Sequence, residues 1–143
     1  MTSIDAETLP DCLRLLVIED EALVAMLIED ALALAGHEVV GVADTGADAL
    51  RIAGEREIDL ALCDVRLAAG DSGVAVAHQL AARGVPVMYL SGNCPAAAEH
   101  PLVIGCVSKP FHTASLCAAV EAAYRAARGD RPERLPSGLT LFP

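Results

Sequence analysis

Four short apolar runs, each ending on polar residues, constrain this chain more than any other feature. Leu15-Leu16-Val17-Ile18 ends in Glu19-Asp20, and Leu60-Ala61-Leu62-Cys63 ends in Asp64. Val87-Met88-Tyr89-Leu90 ends in Ser91, and Val103 to Ser108 ends in Lys109-Pro110-Phe111. Short runs that are apolar throughout read as strands buried on both faces, which belong to parallel sheets covered by helices. In an open parallel sheet the carboxyl ends of the strands share one edge, and ligands bind there. One crevice therefore collects three carboxylates, a hydroxyl and an ammonium.

The segments between the runs carry helical patterns. After Glu21, the residues Val24, Leu27, Ile28, Ala31 and Leu32 fall on one helical stripe, and Gly36 marks its end. Glu38 to Ala43 is β-branched enough for a further strand. Thr45-Gly46-Ala47-Asp48 resembles a capping box that opens a helix through Glu55. A helix from about Val74 to Arg83 stops at Gly84. Another, from about Thr113 to Arg128, turns Leu116, Val120 and Ala123 inward and spaces Glu121 and Arg125 for an ion pair. Asn93 to Leu102 is the least regular stretch, because Pro95 and Pro101 leave room for a short helical segment at most.

The expected fold is a flavodoxin-like doubly wound α/β sandwich. Five parallel strands in the order 2-1-3-4-5 are flanked by helices, with a shortened fourth helix. The expected organisation is an N-terminal extension over 1–11, one domain over 12–128 and an irregular C-terminal tail over 129–143. Within that tail Leu139 to Phe142 could dock back as a short extended segment.

Composition narrows the function classes. At 143 residues the chain suits one domain, and with 3% aromatics its core must be built from Ala, Leu and Val. A net charge of −10 disfavours nucleic-acid phosphates as a partner. Glu29-Asp30 interrupt the longest apolar stretch before it reaches membrane-spanning length. Met1-Thr2-Ser3-Ile4-Asp5 lacks the charged and apolar regions of a signal peptide, so a cytoplasmic location is expected. Cys12, Cys63, Cys94, Cys106 and Cys117 form no C-x-x-C pair and read as free thiols, Cys63 and Cys106 being small buried hydrophobes. Cys94, His100, Cys106 and His112 recur every six residues, but a strand position and separate loops do not converge as zinc requires. His37 and His78 read as surface residues.

Taken in order, Glu19-Asp20, Asp64, Ser91 and Lys109-Pro110-Phe111 resemble the receiver domains of two-component response regulators, over roughly residues 12–128. The resemblance implies that Asp64 accepts a phosphoryl group from a phosphohistidine on a sensor histidine kinase or histidine phosphotransfer protein. It implies Mg²⁺ held directly by Asp20 and Asp64, through water by Glu19, and by the backbone carbonyl of Arg66. Ser91 and Lys109 would bind the phosphoryl group, while Ala22, Leu23, Met26, Pro110 and Phe111 would dock the kinase. Such a protein is not an enzyme beyond its own phosphorylation and autodephosphorylation. It acts on an unidentified downstream protein, engages neither nucleic acid nor membrane, and leaves a homodimer open.

Elementary chemistry asks for the same residue types. A metaphosphate-like transition state needs positioning and charge neutralisation more than acid–base work. Mg²⁺ is hard and keeps water ligands, so one or two carboxylates suit it. Each piece alone has a plainer explanation: Glu19-Asp20-Glu21 as an acidic helix start, Ser91 as a turn residue, Lys109-Pro110 as a solvated turn.

The chain departs from the family pattern in several places. Ala68 replaces a frequent proline, the loop before Gly73 is longer, and the segment from Ser91 to Lys109 is shorter. Cys106 stands three before Lys109, where the family usually carries a ring that changes rotamer. Switching is therefore expected through ordering of the Ser91–Pro101 loop, with Tyr89 either a substitute ring or a packing residue. Tyr89-Leu90-Ser91-Gly92 resembles the aromatic-x-Thr-Gly motif of a receiver subgroup from α-proteobacterial stress and sensing systems. Two other functions stay open: a pseudo-receiver that works without phosphorylation, and a haloacid-dehalogenase-type phosphatase. The latter would want a carboxylate where Arg66 stands. A dinucleotide-binding enzyme would need G-x-G-x-x-G after the first strand, where this chain has Glu-Asp-Glu.

Overall fold

Strand and helix alternate as the apolar pattern requires. The computed structural model describes residues 12–67, 70 and 72–143; the expected extension over 1–11, and Ala68, lie outside the described residues. The elements are β1 (Arg14–Ile18), α1 (Ala22–Leu34), β2 (Glu38–Ala43), α2 (Gly46–Glu55), β3 (Leu60–Asp64), α3 (Gly73–Ala82), β4 (Val87–Ser91), β5 (Val103–Ser108), α4 (Thr113–Ala127) and β6 (Leu139–Leu141). β1 to β5 are parallel in the order β2-β1-β3-β4-β5, and β6 adds antiparallel to β5. The sheet thus has six strands where five were expected. No helix in the described residues is long and apolar enough to cross a membrane.

Alternate residues of the strands feed two cores. Leu15, Val17, Leu60, Leu62, Met88 and Leu90 pack with Ile28 and Leu32 of α1 and with Leu116 and Val120 of α4. Leu16, Ile18, Ala61, Cys63, Val87 and Tyr89 pack on the other side with Ile52 of α2 and Val76 and Leu80 of α3. The pairing of β4 with β5 shifts between Val87 and Met88, which opposes Val87 to Val103 and Met88 to Gly105. Cys106 consequently faces the α2–α3 side together with Val103.

Local expectations hold where capping decides and fail where burial geometry decides. Thr45 Oγ1 accepts from Asp48 N at 3.2 Å and starts α2. Gly36, at φ 93°, ends α1 in the left-handed conformation a side chain resists. On α1, however, the buried residues are Ala25, Ile28 and Leu32, and Leu27 is 60% exposed. The buried face of α1 thus takes in small Ala25 and leaves Leu27 to solvent. His37 is buried rather than superficial: its Nδ1 accepts from Leu13 N at 3.1 Å, and its Nε2 lies 3.7 Å from Glu121. His78 is half-buried. The expected Glu121–Arg125 pair is not made, since Glu121 turns towards His37 and Arg125 bonds Asp130 at 3.2 Å.

The largest departure lies between β4 and β5. That crossover contains no α-helix, so the shortening foreseen from Pro95 and Pro101 is complete. Right-handed crossovers in the same direction stay on one face of a sheet. The missing helix would therefore have covered the α2–α3 side of β4 and β5. Cys94, Ala98 and Leu102 of the crossover pack there instead. So does Phe142 from the tail, buried and edge-on to Tyr89 with ring centroids 6.1 Å apart.

The tail reaches that position by pairing. Gly105 opposes Leu141, and Phe142 N donates to Ile104 O at 2.8 Å. A Cβ on Gly105 would overlap the Thr140 carbonyl and sit 3.2 Å from Leu141 Cα, so glycine is what admits β6. Arg131 Nη2 holds the Phe142 carbonyl at 2.8 Å.

Candidate functional site

Strand register levels the polar tips. Ile18 pairs with Cys63, Asp64 with Leu90 and Ser91 with Ser108. The next residues emerge at a common edge, above a cleft of about 540 Å³ lined by Asp20, Asp64, Arg66, Ser91, Asn93 and Lys109 among others. All five expected polar side chains are therefore at this edge.

The side chain of Glu19 is fully buried, and that of Lys109 is 23% exposed. Lys109 Nζ donates to Glu19 Oε1 at 2.8 Å and to Asp64 Oδ2 at 2.8 Å, so one ammonium bridges two carboxylates. Their remaining oxygens are also held: Glu19 Oε2 accepts from Glu21 N at 3.1 Å, and Asp64 Oδ1 from Arg66 N at 3.0 Å. Burial raises the Glu19 carboxyl above its ordinary value, against the lowering effect of Lys109. Burial works to lower Lys109, but its bonds to Asp64 and Glu19 outweigh that and leave it raised. The Asp64 carboxylate and the Lys109 ammonium thus stand fixed and complementary in a partly dry cleft.

Asp20 is exposed at the rim. Glu19, Asp20 and Asp64 each offer a carboxylate oxygen within 4.8 Å of the others. Three hard oxygen donors in that space fit Mg²⁺, and a charged trio so close favours a cation. Arg66 also lines the cleft. Ser91 Oγ accepts from Asn93 N at 3.0 Å, so its loop is already folded back on the hydroxyl.

The expected docking residues separate into two groups. Ala22, Leu23 and Met26 are exposed on α1, Leu23 at 76%. Pro110 is exposed, but Phe111 is half-buried against the α1–α4 core and offers less surface than expected.

Two contributors were not foreseen. Gly73 looked like a loop end, yet a Cβ there would overlap the Asp64 carbonyl and lie 2.7 Å from Val65 O. Its N–H also donates to Val65 O at 2.8 Å, fixing the turn that carries Asp64. Cys94 and Cys106, expected to be thiols, are joined in a disulfide. That bond also removes both sulfurs from the zinc set with His100 and His112. Tyr89 is 1% exposed and packs as a core ring.

Residues 15–121 match the family model of the response regulator receiver domain. The chain belongs to that family. It is 37% identical over 114 residues to the phyllosphere-induced regulator PhyR of Methylorubrum extorquens, covering 77% of this chain and 43% of PhyR. It is 30% identical over 115 residues to the transcriptional regulatory protein PdtaR of Mycobacterium tuberculosis, covering 77% of this chain and 56% of PdtaR. The receiver thus spans about half the length of these curated relatives. The solution structure of SdrG from Sphingomonas melonis superposes with a TM-score of 0.64 at 30% identity, covering 80% of this chain and 98% of SdrG. The relatives are regulators, in keeping with a signalling module.

Proposed function

We propose that this receiver takes a phosphoryl group on Asp64 from the phosphohistidine of a sensor kinase or phosphotransfer protein, in the cytoplasm. It passes the signal on by protein contact or by phosphorelay. The observation that carries this reading is the Lys109 ammonium bridging Glu19 and Asp64, with Asp20 in the same carboxylate cluster. Mg²⁺ held by Asp20, Asp64 and the Arg66 carbonyl, and through water by Glu19, would neutralise charge on the phosphoryl oxygens.

Asp64 supplies the nucleophile. One carboxylate oxygen forms a bond to phosphorus while the P–N bond breaks and its electron pair stays on the donor imidazole. Lys109 is already placed to hold the acyl phosphate by a charge-assisted bond. Ser91 can exchange its bond from Asn93 N for one to a phosphoryl oxygen, which reorders the loop it begins. Since Tyr89 is packed and position 106 carries no ring, the output runs through that loop rather than through an aromatic rotamer. Leu23 and Met26 form the kinase-facing surface on α1.

The test is acetyl-phosphate labelling in Mg²⁺ read by intact mass. Wild type should gain one phosphoryl group, and Asp64→Asn, nearly isosteric, should fold and gain none. An unlabelled wild type would move the chain to the pseudo-receiver reading, and steady turnover of phosphate would move it to a phosphatase.

A further inference from the structure

The disulfide joins the two segments that a phosphoryl group on Asp64 would address. Cys94 follows Ser91 by three residues on the loop, and Cys106 precedes Lys109 by three on β5. Apart from the packing of Ala98 and Leu102, the crossover is fastened at its ends. Among the described residues, 95–99 take part in no backbone hydrogen bond, whereas Asn93 N bonds Ser91 Oγ, Leu102 N bonds His100 Nδ1, Val103 N bonds His100 O and Leu102 O accepts from Val87 N. The two sulfurs also differ in access: Cys94 is half-buried at the loop, whereas Cys106 is fully buried in the α2–α3 core. Of the other described thiols, Cys63 bonds Asp64 O and Gly73 O, Cys117 bonds Ala31 O, and Cys12 is exposed ahead of β1, away from the crossover in sequence.

We propose that Cys94–Cys106 is a thiol–disulfide exchange site for a dithiol reductant, and that its reduction frees residues 92–102 to respond to the phosphoryl group. The second half rests on Asp64 being the acceptor. A thiolate of the dithiol attacks Cys94 Sγ, the reachable sulfur. The S–S bond breaks with its electron pair going to Cys106 Sγ, which takes a proton because a buried thiolate is poorly solvated. The second thiol of the reductant, deprotonated, then attacks its own half of the mixed disulfide and releases Cys94, which is protonated in turn. The dithiol loses two electrons and two protons, and the cysteine pair gains them. Oxidised, the bond ties the hydroxyl-bearing loop to the ammonium-bearing strand; reduced, the loop can reorder about Ser91.

The test uses the full chain equilibrated in glutathione buffers of graded ratio, with dithiothreitol as the limiting reductant. Alkylation after denaturation counts thiols. The expected result is that Cys94 and Cys106 change together as a two-electron couple, apart from a single glutathione taken up by the exposed Cys12. The amides of Asn93 and Leu102, which are bonded at the two ends of the segment, should exchange hydrogen at least tenfold faster in the reduced form. Beryllofluoride should add protection within 92–102 only in that form. Cys94→Ala should behave as the reduced protein at every ratio. A pair that never forms in oxidising buffer, or equal exchange at Asn93 and Leu102 in both forms, overturns the proposal. Acetyl-phosphate labelling separates the two readings. If the couple titrates and frees the loop but neither form labels, the acceptor reading fails and the exchange site stands. If both forms label and the loop is indifferent to the couple, the exchange site fails and the acceptor stands.

Discussion

The two halves of the site edge are built in contrasting ways. Around β1 and β3, every site oxygen of Glu19 and Asp64 is held by a named donor, and Gly73 lets the turn close on Asp64. Around β4 and β5, a helix is absent, and a disulfide, a proline-bracketed loop and a borrowed tail ring take its place. The chemistry of phosphoryl transfer tolerates little displacement, so the first half is over-determined. The output half answers to its partner, and its packing can be rebuilt by other means provided the core stays covered.

That contrast can be broken or sharpened in four ways. The largest effect should come from the tail. Phe142→Ala removes the ring that covers Tyr89 and should cost about 3 kcal/mol in urea unfolding, while the folded fraction still labels at Asp64. Loss of labelling in the folded fraction would show that the halves are not separable. Second, Asp20→Ala should weaken Mg²⁺ binding about 100-fold and Glu19→Gln about tenfold, since of these two only Asp20 is proposed as a direct ligand. Equal losses in a fluorescence titration would reverse the two roles.

The third effect is a pH dependence. Burial raises Glu19, so the folded state holds its proton more tightly than the unfolded chain. The stability this confers is complete below the unfolded value of 4.5 and is lost as pH climbs through the folded value. Without divalent ions, wild type should lose stability relative to Glu19→Gln as pH rises above that point, by at most about 1.4 kcal/mol per pH unit in the window. A flat difference would place the burial cost elsewhere. The smallest effect is at the surface. Leu23→Asp should change stability by less than about 0.5 kcal/mol and slow transfer from a kinase several-fold, with acetyl-phosphate labelling unchanged. Equal slowing by both donors would remove α1 from docking.

The strands were legible in both halves. β1, β3, β4 and β5 follow their apolar runs to within a residue, because parallel strands buried on both faces write their burial as unbroken hydrophobicity. Glu19, Asp20, Asp64, Ser91 and Lys109 could be placed together because strand order alone brings their tips to one edge. What escaped depends on contacts between distant segments. The bond between Cys94 and Cys106 needs a crossover without a helix and a strand shift at Val87, neither of which cysteine spacing reveals. His37 looked superficial because its partners, Leu13 and Glu121, belong to other elements. Leu27 went astray by one helical position, since periodicity cannot tell which flank of a stripe the sheet accepts.

The bare backbone of Gly105 has a consequence for the rim of the sheet. An uncovered outer strand is a template on which another molecule can continue the ladder. Here Leu139–Leu141 occupies that template from within the same chain, on condition that position 105 has no side chain. The two features therefore act as lock and key. A methyl group at 105 would expel the last strand, leaving Tyr89 without its ring neighbour and the outer ladder open to self-association.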